Sequence, residues 1–398
     1  AKQHYRDTLK VHPGHLNTLL NLAAVENAQG NAAAMRVTLE QAVIHNPGAA
    51  APKIFLGRYY LKKGEVKKLW ALIADLQQSH PDSPDVLNLL GETRFVTGDY
   101  RAAKDTFSRL VVLQPGIAES HFKLAQAYGR LGEDRNYISE LRYVIQLNPN
   151  HANARLLLAK SLAAMGRTQQ AEVQLTWLKD NGEMGPQVLE LEAQLAEASA
   201  DAERLERSLS ALYRGQETNL NLLRLTNAQW ELGRHAEAIA TLENWVEAHP
   251  EDMLTWLELG NRYLASGRVP EAIAALEKSV ALQPQNVIAL NNLAWLLKDS
   301  DPAKAMDYSR KALSLAADSA TVLDTSALVY LSNGQQMLAE ESINKALERE
   351  PDNPTYVYHK ARIVGVAGKT EEARALLEEA LASTSAFPER DNAVELLR

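Results

Sequence analysis

The sequence of 398 residues contains no cysteine. That excludes disulfides, thiolate catalysis and zinc sites built on thiolates. It also lacks the uninterrupted apolar run of roughly 18 residues that a membrane-spanning helix needs, and no signal peptide opens it. Positive charge is not in excess: the formal net charge is −8 and the pI about 5.8. Such a balance argues against a nucleic acid held through its phosphates. No phosphate-binding loop of the G-x4-G-K-[ST] type, no H-E-x-x-H and no G-x-S-x-G is present. What is present is 46% apolar residues, with Leu and Ala dominant, as stacked helices require.

The organising feature is a period. Pro13, Pro47, Pro81, Pro115 and Pro149 stand 34 residues apart, and so do Gly30, Gly64, Gly98, Gly132 and Gly166. The register resumes with Gly233 and Gly267 and with Pro250 and Pro284, then closes with Gly334, Gly368 and Pro351. Each glycine suits the left-handed backbone that ends a helix, and each proline stops the helix before it. The spacing predicts repeats starting at Leu16, Ala50, Pro84, Ala118, Ala152, about Pro186, Asn219, Met253, Val287, Ala320 and Pro354.

The clearest unit runs from Met253 to Asn286. Trp256, Leu259, Gly260 and Tyr263 form W-x-x-L-G-x-x-Y on a first helix, and Ala272, Leu276 and Ser279 mark the second. Gly260 and Ala272 are small enough to let the two helices cross closely. This pattern resembles the tetratricopeptide repeat, W-x2-L-G-x2-Y followed by A-x3-F and a proline. The resemblance covers essentially the whole chain and implies an all-α solenoid, a right-handed superhelix of about eleven helix–turn–helix repeats. One such hairpin cannot bury enough apolar surface to offset its own ordering, so it must stack on copies of itself.

Five segments are expected. Residues 1–15 read as the second helix of a repeat whose first helix is missing, so the sequence is expected to be part of a longer protein, with Tyr5 and Leu9 exposed or covered by a neighbouring molecule. Residues 16–182 form a first sub-array. Residues 183–218 lack the turn glycine and terminal proline; they read as a drifted repeat or as a hinge. Residues 219–387 form a second sub-array, and 388–398 a capping helix or the start of another repeat. In the ninth repeat Lys298–Lys304 replaces the glycine turn, with Asp301 and Pro302 set to start the next helix.

Nothing in the sequence selects a catalytic group, a metal site or a cofactor. His45, His80, His151 and His249 fall at solvated turns, and the many carboxylates suit exposed helix faces. The chain reads as non-enzymatic. In tetratricopeptide arrays the concave groove is lined by positions 2, 5, 9, 12 and 13 of each first helix. By that resemblance the groove here takes Arg58, Asn88, Phe122, Gln126, Arg130, Asn227, Trp230, Asn261, Asn291, Trp295, Tyr358 and Arg362. Asn can hold a peptide backbone by donor and acceptor together, and exposed Trp or Tyr make strong anchors. Trp245 and Trp256 read instead as core residues. No repeat has Lys at position 5, so the clamp of cytosolic co-chaperones is absent. Only Asn21 and Asn292 occupy position 6, so the asparagine ladder of the O-GlcNAc transferase array is absent too.

The expected function is a scaffold whose groove binds a protein or peptide, with no nucleic acid. The string ALNNLAWLL at Ala289–Leu297, followed by VLDT at Val322–Thr325, resembles the tetratricopeptide lipoprotein of the bacterial PEP-CTERM/exosortase system. That resemblance implies a role in exopolysaccharide production and protein sorting, and a periplasmic or outer-membrane-anchored location. The alternatives are a module that binds a polysaccharide, or a regulatory array for an enzyme domain elsewhere in the protein.

Overall fold

The computed structural model describes residues 2–383 and 387–398, which form 24 helices and no strand. The chain divides into two compact units, Ala1–Ser199 and Ala200–Arg398. The first contains α1 (Lys2–Val11), α2 (Leu16–Ala28), α3 (Ala32–His45), α4 (Ala50–Lys63), α5 (Val66–Ser79) and α6 (Pro84–Val96). It continues with α7 (Tyr100–Leu113), α8 (Ala118–Leu131), α9 (Asp134–Leu147), α10 (Ala152–Ala164), α11 (Thr168–Asp180) and α12 (Pro186–Ala198). The second contains α13 (Ala202–Gly215), α14 (Asn219–Glu231), α15 (His235–Ala248), α16 (Met253–Ala265), α17 (Val269–Leu282) and α18 (Val287–Leu297). It ends with α19 (Pro302–Leu315), α20 (Ala320–Ser332), α21 (Gln336–Arg349), α22 (Pro354–Val366), α23 (Thr370–Ala382) and α24 (Arg390–Leu397).

Both units have the all-α repeat architecture. The even-numbered helices from α2 to α22 are first helices, here called A, and each begins at the residue that the proline and glycine register predicts. The backbone explains why. Gly30, Gly64, Gly98, Gly132, Gly166, Gly233, Gly267, Gly334 and Gly368 all have positive φ, the conformation that closes a helix and turns the chain into its partner. Gly64 and Gly132, for example, cap α4 and α8 with φ of 69° and 70°. Between α12 and α13 the turn has no glycine, and Ala200 takes the left-handed conformation instead, at φ 54°. Before α19, Asp301 caps the helix by accepting from the Lys304 N–H, with Pro302 in the first turn.

The hairpins pack through small residues. A Cβ on Gly91 would sit 2.3 Å from Phe107 Cε1, and one on Gly260 would sit 2.7 Å from Leu276 Cγ. Phe107 and Leu276 fill the space those glycines leave, and Ala103 and Ala272 beside them are fully buried. Helix-to-helix contacts of any size join elements one or two places apart along the chain. Some successive A helices touch, as α4 does α6, α10 does α12, α18 does α20 and α20 does α22, whereas no two successive second helices make more than marginal contact. The A helices therefore line the inner side of each stack.

In four of the hairpins the fourth position of the A helix ties the hairpin to the loop before it. Trp256 Nε1 donates to the Pro250 carbonyl at 2.9 Å. In other repeats a different side chain makes the same bond six residues back. Lys53 donates to the Pro47 carbonyl and also pairs with Asp75. His121 Nε2 lies 3.1 Å from the Pro115 carbonyl while its Nδ1 lies 2.7 Å from Glu140. Arg155 Nε donates to the Pro149 carbonyl at 2.9 Å and its plane stacks on Trp177.

At the first end, α1 buries no residue, and Tyr5 and Leu9 are half-buried against α2. At the other end α24 packs on α23, and Phe387 is buried with Tyr358 and Ala361. Ala1 of the first expected helix and residues 384–386 of the expected second sub-array lie outside the described residues.

Candidate functional site

The inner side chains differ from one A helix to the next in how far they are already engaged. In the first unit, Arg58 on α4 is exposed, and its nearest acidic partner is Asp85, 3.8 Å away on α6. Asn88 is committed: its Oδ1 accepts from Lys123 at 2.7 Å, and the same lysine pairs with Glu92 at 2.6 Å. Gln126 is half-buried on α8, and Arg130 is exposed, spread over the rings of Phe95 and Tyr100. Phe122 is not at the surface. It is 8% exposed, with its ring centroid 4.6 Å from that of His151 and tilted against it, within the core of the first unit. The expectation that it lines the groove is corrected: position 5 here turns toward the next A helix, which covers it.

In the second unit the engaged groups form cross-repeat pairs. Asn227 accepts from Arg262, which also pairs with Glu258 at 2.6 Å. The Arg262 guanidinium lies 4.6 Å from the Trp230 ring, and Trp230 also stacks on His235 at 4.1 Å. Asn261 Oδ1 accepts from Asn292 at 3.0 Å. Asn291 is half-buried and its Oδ1 has no hydrogen-bond partner among the described residues. Trp295 is 37% exposed, with Lys298 Nζ 4.4 Å from its ring. Tyr358 is a second correction, at 3% exposed and packed on Phe387. Arg362 beside it is half-buried, 6.0 Å from the Tyr358 ring.

Two buried histidines were not legible as sites. His121 is described above. His359 Nδ1 lies 2.7 Å from Asp324 Oδ1 on the previous A helix, and its Nε2 lies 3.9 Å from Glu389. Burial pushes the Asp324 carboxyl above its ordinary range, against the pull of His359. The two residues are 35 positions apart, one repeat plus one, which is the signal that pairs them in the sequence. Elsewhere burial, with a hydrogen bond to Glu40, pushes the Tyr60 hydroxyl up to about 12, and burial with Glu243 does the same to Tyr263. These hydroxyls stay protonated and staple second helices to first ones. Among the described residues no group of three or more His, Asp or Glu side chains could hold a metal ion.

Family models described as tetratricopeptide repeat match residues 138–195, 223–287, 257–320 and 325–389, together more than half of the chain. The chain belongs to the tetratricopeptide repeat superfamily. Tetratricopeptide repeats bind protein partners, and the matches name no enzymatic family. No curated protein matches the chain. Among solved structures, one from the APC/C hetero-tetramer Cut9–Hcn1 is 15% identical, with 100% of this chain and 92% of that one covered and a TM-score of 0.46. The PilF structure of Pseudomonas aeruginosa is 18% identical over 58% of this chain and 99% of its own, at 0.48. A tetratricopeptide repeat protein from Parabacteroides merdae is 16% identical over 62% of this chain and 98% of its own, at 0.42. These values carry nothing about partners. No helix in the described residues of this tetratricopeptide array is long and apolar enough to cross a membrane.

Proposed function

We propose that the protein is a non-enzymatic scaffold that holds an extended peptide or protein segment along the inner faces of its A helices. The observation that carries this reading is the accessible set on those faces: Arg58 and Arg130 in one unit, Trp295 with its cationic neighbour Lys298 in the other. A half-exposed indole beside an ammonium is the kind of rigid aromatic anchor that dominates binding energy at interfaces. Asn227 and Asn261 are already paired, so a partner would meet them only as rim groups.

The setting proposed for this scaffold is bacterial envelope biogenesis, with exopolysaccharide production and protein sorting. Its support is the likeness of Ala289–Leu297 and Val322–Thr325 to the PEP-CTERM-associated lipoprotein. Ala289, Leu290, Leu293, Ala294, Leu297 and the whole of Val322–Thr325 are buried, so core packing alone accounts for them. The envelope reading therefore leans on Asn291, Asn292 and Trp295.

The test is photo-crosslinking in the living cell from a reactive amino acid placed at Arg58, Gln126 or Trp295, with the captured species identified by mass spectrometry. A protein captured from these positions and lost on Trp295→Ala or Arg362→Ala supports the scaffold. Capture of nothing, together with saturable binding on a glycan array, would replace it with the polysaccharide reading.

A further inference from the structure

We propose that the cleft between α2, α3 and α4 is a docking site for an acidic peptide carrying a bulky apolar side chain. The inference deepens the scaffold reading and rests on it. The cleft holds about 610 Å³, inside the roughly 300–1,000 Å³ range of ligand pockets. Its floor is apolar, with Leu39 buried, Met35 and Tyr59 half-buried and Phe55 47% exposed at one side. An isolated, partly exposed phenylalanine beside such a floor gains by being covered.

The rim has one sign of charge. Arg58, Lys62 and Lys63 line the cleft, and no Asp or Glu does. Lys62 and Lys63 are exposed and make no hydrogen bond or ion pair among the described residues. The acidic residues of the neighbouring turns are used elsewhere: Glu26 pairs with Lys2 and accepts from Thr38, and Glu40 pairs with Arg36 and accepts from Tyr60. Most other lysines of this unit have acidic partners close by, as Lys68 has Glu65 at 2.6 Å and Lys123 has Glu92 at 2.6 Å, Lys67 and Lys160 being the exceptions. The unpaired Lys62 and Lys63, with Arg58 only loosely held by Asp85 at 3.8 Å, beside an apolar floor fit a ligand with carboxylates flanking an apolar anchor.

Charge at longer range agrees. Residues 1–199 carry 22 Lys and Arg against 20 Asp and Glu, a net +2, whereas residues 200–398 carry 20 against 30, a net −10. An acidic segment is drawn to the first unit and turned away from the second. Across the cleft, the side-chain amides of Asn21 and Asn27 are exposed and can hold the peptide backbone.

The experiment uses the full chain and three fluorescein-labelled octapeptides. One has Leu-Phe at its centre with glutamates on both sides, one replaces the glutamates with lysines, and one replaces Leu-Phe with Ser-Ser. The first is expected to bind and the other two at least about tenfold more weakly. The double substitution Lys62→Glu with Lys63→Glu is expected to remove binding of the acidic peptide and to admit the lysine one. Ala24→Trp, which fills the cleft from an exposed position, is expected to remove both. Circular dichroism checks that each variant keeps its helices. Equal binding of all three peptides, or indifference to the charge reversal, overturns the proposal. So does a preference for anionic phospholipid vesicles over the acidic peptide that the same substitutions abolish, which would make the occupant a lipid surface. If crosslinking from Trp295 captures a protein while this cleft stays silent, the scaffold reading stands and this one falls.

Discussion

The indole nitrogen of Trp256 donates to the carbonyl of Pro250 at 2.9 Å, joining the first turn of α16 to the loop that ends α15. Lys53, His121 and Arg155 make the same bond to Pro47, Pro115 and Pro149. The tryptophan of the repeat signature thus serves as a donor as well as a wedge. Trp256→Phe is expected to cost about 1 kcal/mol, the net worth of one hydrogen bond. Trp256→Arg, which restores a donor, is expected to cost less than Trp256→Ala. Thermal unfolding followed by far-ultraviolet circular dichroism checks the order.

Gly91 and Gly260 are close-approach glycines. Gly91→Ala and Gly260→Ala should each cost about 1–3 kcal/mol, because the new methyl collides with Phe107 or Leu276. Gly116→Ala, where nothing lies within 4 Å of the added Cβ, should be neutral or mildly stabilising. Denaturant midpoints of the three variants separate the cases.

Ala200 carries a left-handed backbone without being glycine. Ala200→Gly should therefore raise stability by about 1 kcal/mol through relief of that conformation. A lower melting temperature for this variant would contradict the account of the turn.

Asp252 is a hub. It accepts from Trp245 Nε1 at 2.8 Å, Asn219 Nδ2 at 2.6 Å, Thr255 Oγ1 at 3.0 Å and the Thr255 N–H at 3.3 Å. Burial pushes its carboxyl up, but these bonds outweigh burial and hold it below the ordinary 3.8. A depressed folded value means the stabilisation is fully present above 3.8 and is lost as pH falls through the folded pKa. Asp252→Ala should cost about 1–3 kcal/mol at neutral pH, since it strands buried donors. The gap between wild type and variant should shrink in acid below that value, as melting temperatures across the pH series would record.

The inner-face residues divide into two classes. Phe122→Ala and Tyr358→Ala should lower stability by about 3–5 kcal/mol, as buried aromatics do. Trp295→Ala should leave the melting temperature nearly unchanged and weaken capture of a partner. A Trp295→Ala protein that melts early and still captures its partner would reverse the assignment.

The helix starts were legible because their markers act on the backbone of their own loop. Gly64 or Gly267 can adopt positive φ at no steric cost wherever the chain lies, and Pro47 or Pro284 lacks an N–H in any context. The inner face was less legible because exposure is decided by the next repeat. Position 5 of α8 reads as groove until His151 is seen lying on Phe122. Trp230 reads as an anchor until Arg262 and His235 are found against its ring. Asn227 with Arg262, Asn261 with Asn292 and Asp324 with His359 are each separated by 31–35 residues. Complementary side chains about one period apart were the available signal.

Among the described residues, the substantial contacts between helices join elements one or two places apart along the chain. No distant ends must find each other for the array to assemble, so its formation is zipper-like and fast for its length. Injury is confined in the same way. A substitution that melts one hairpin should leave the hairpins on either side intact and divide the protein into shorter sections. Loss of a binding partner would then depend on which section that partner grips.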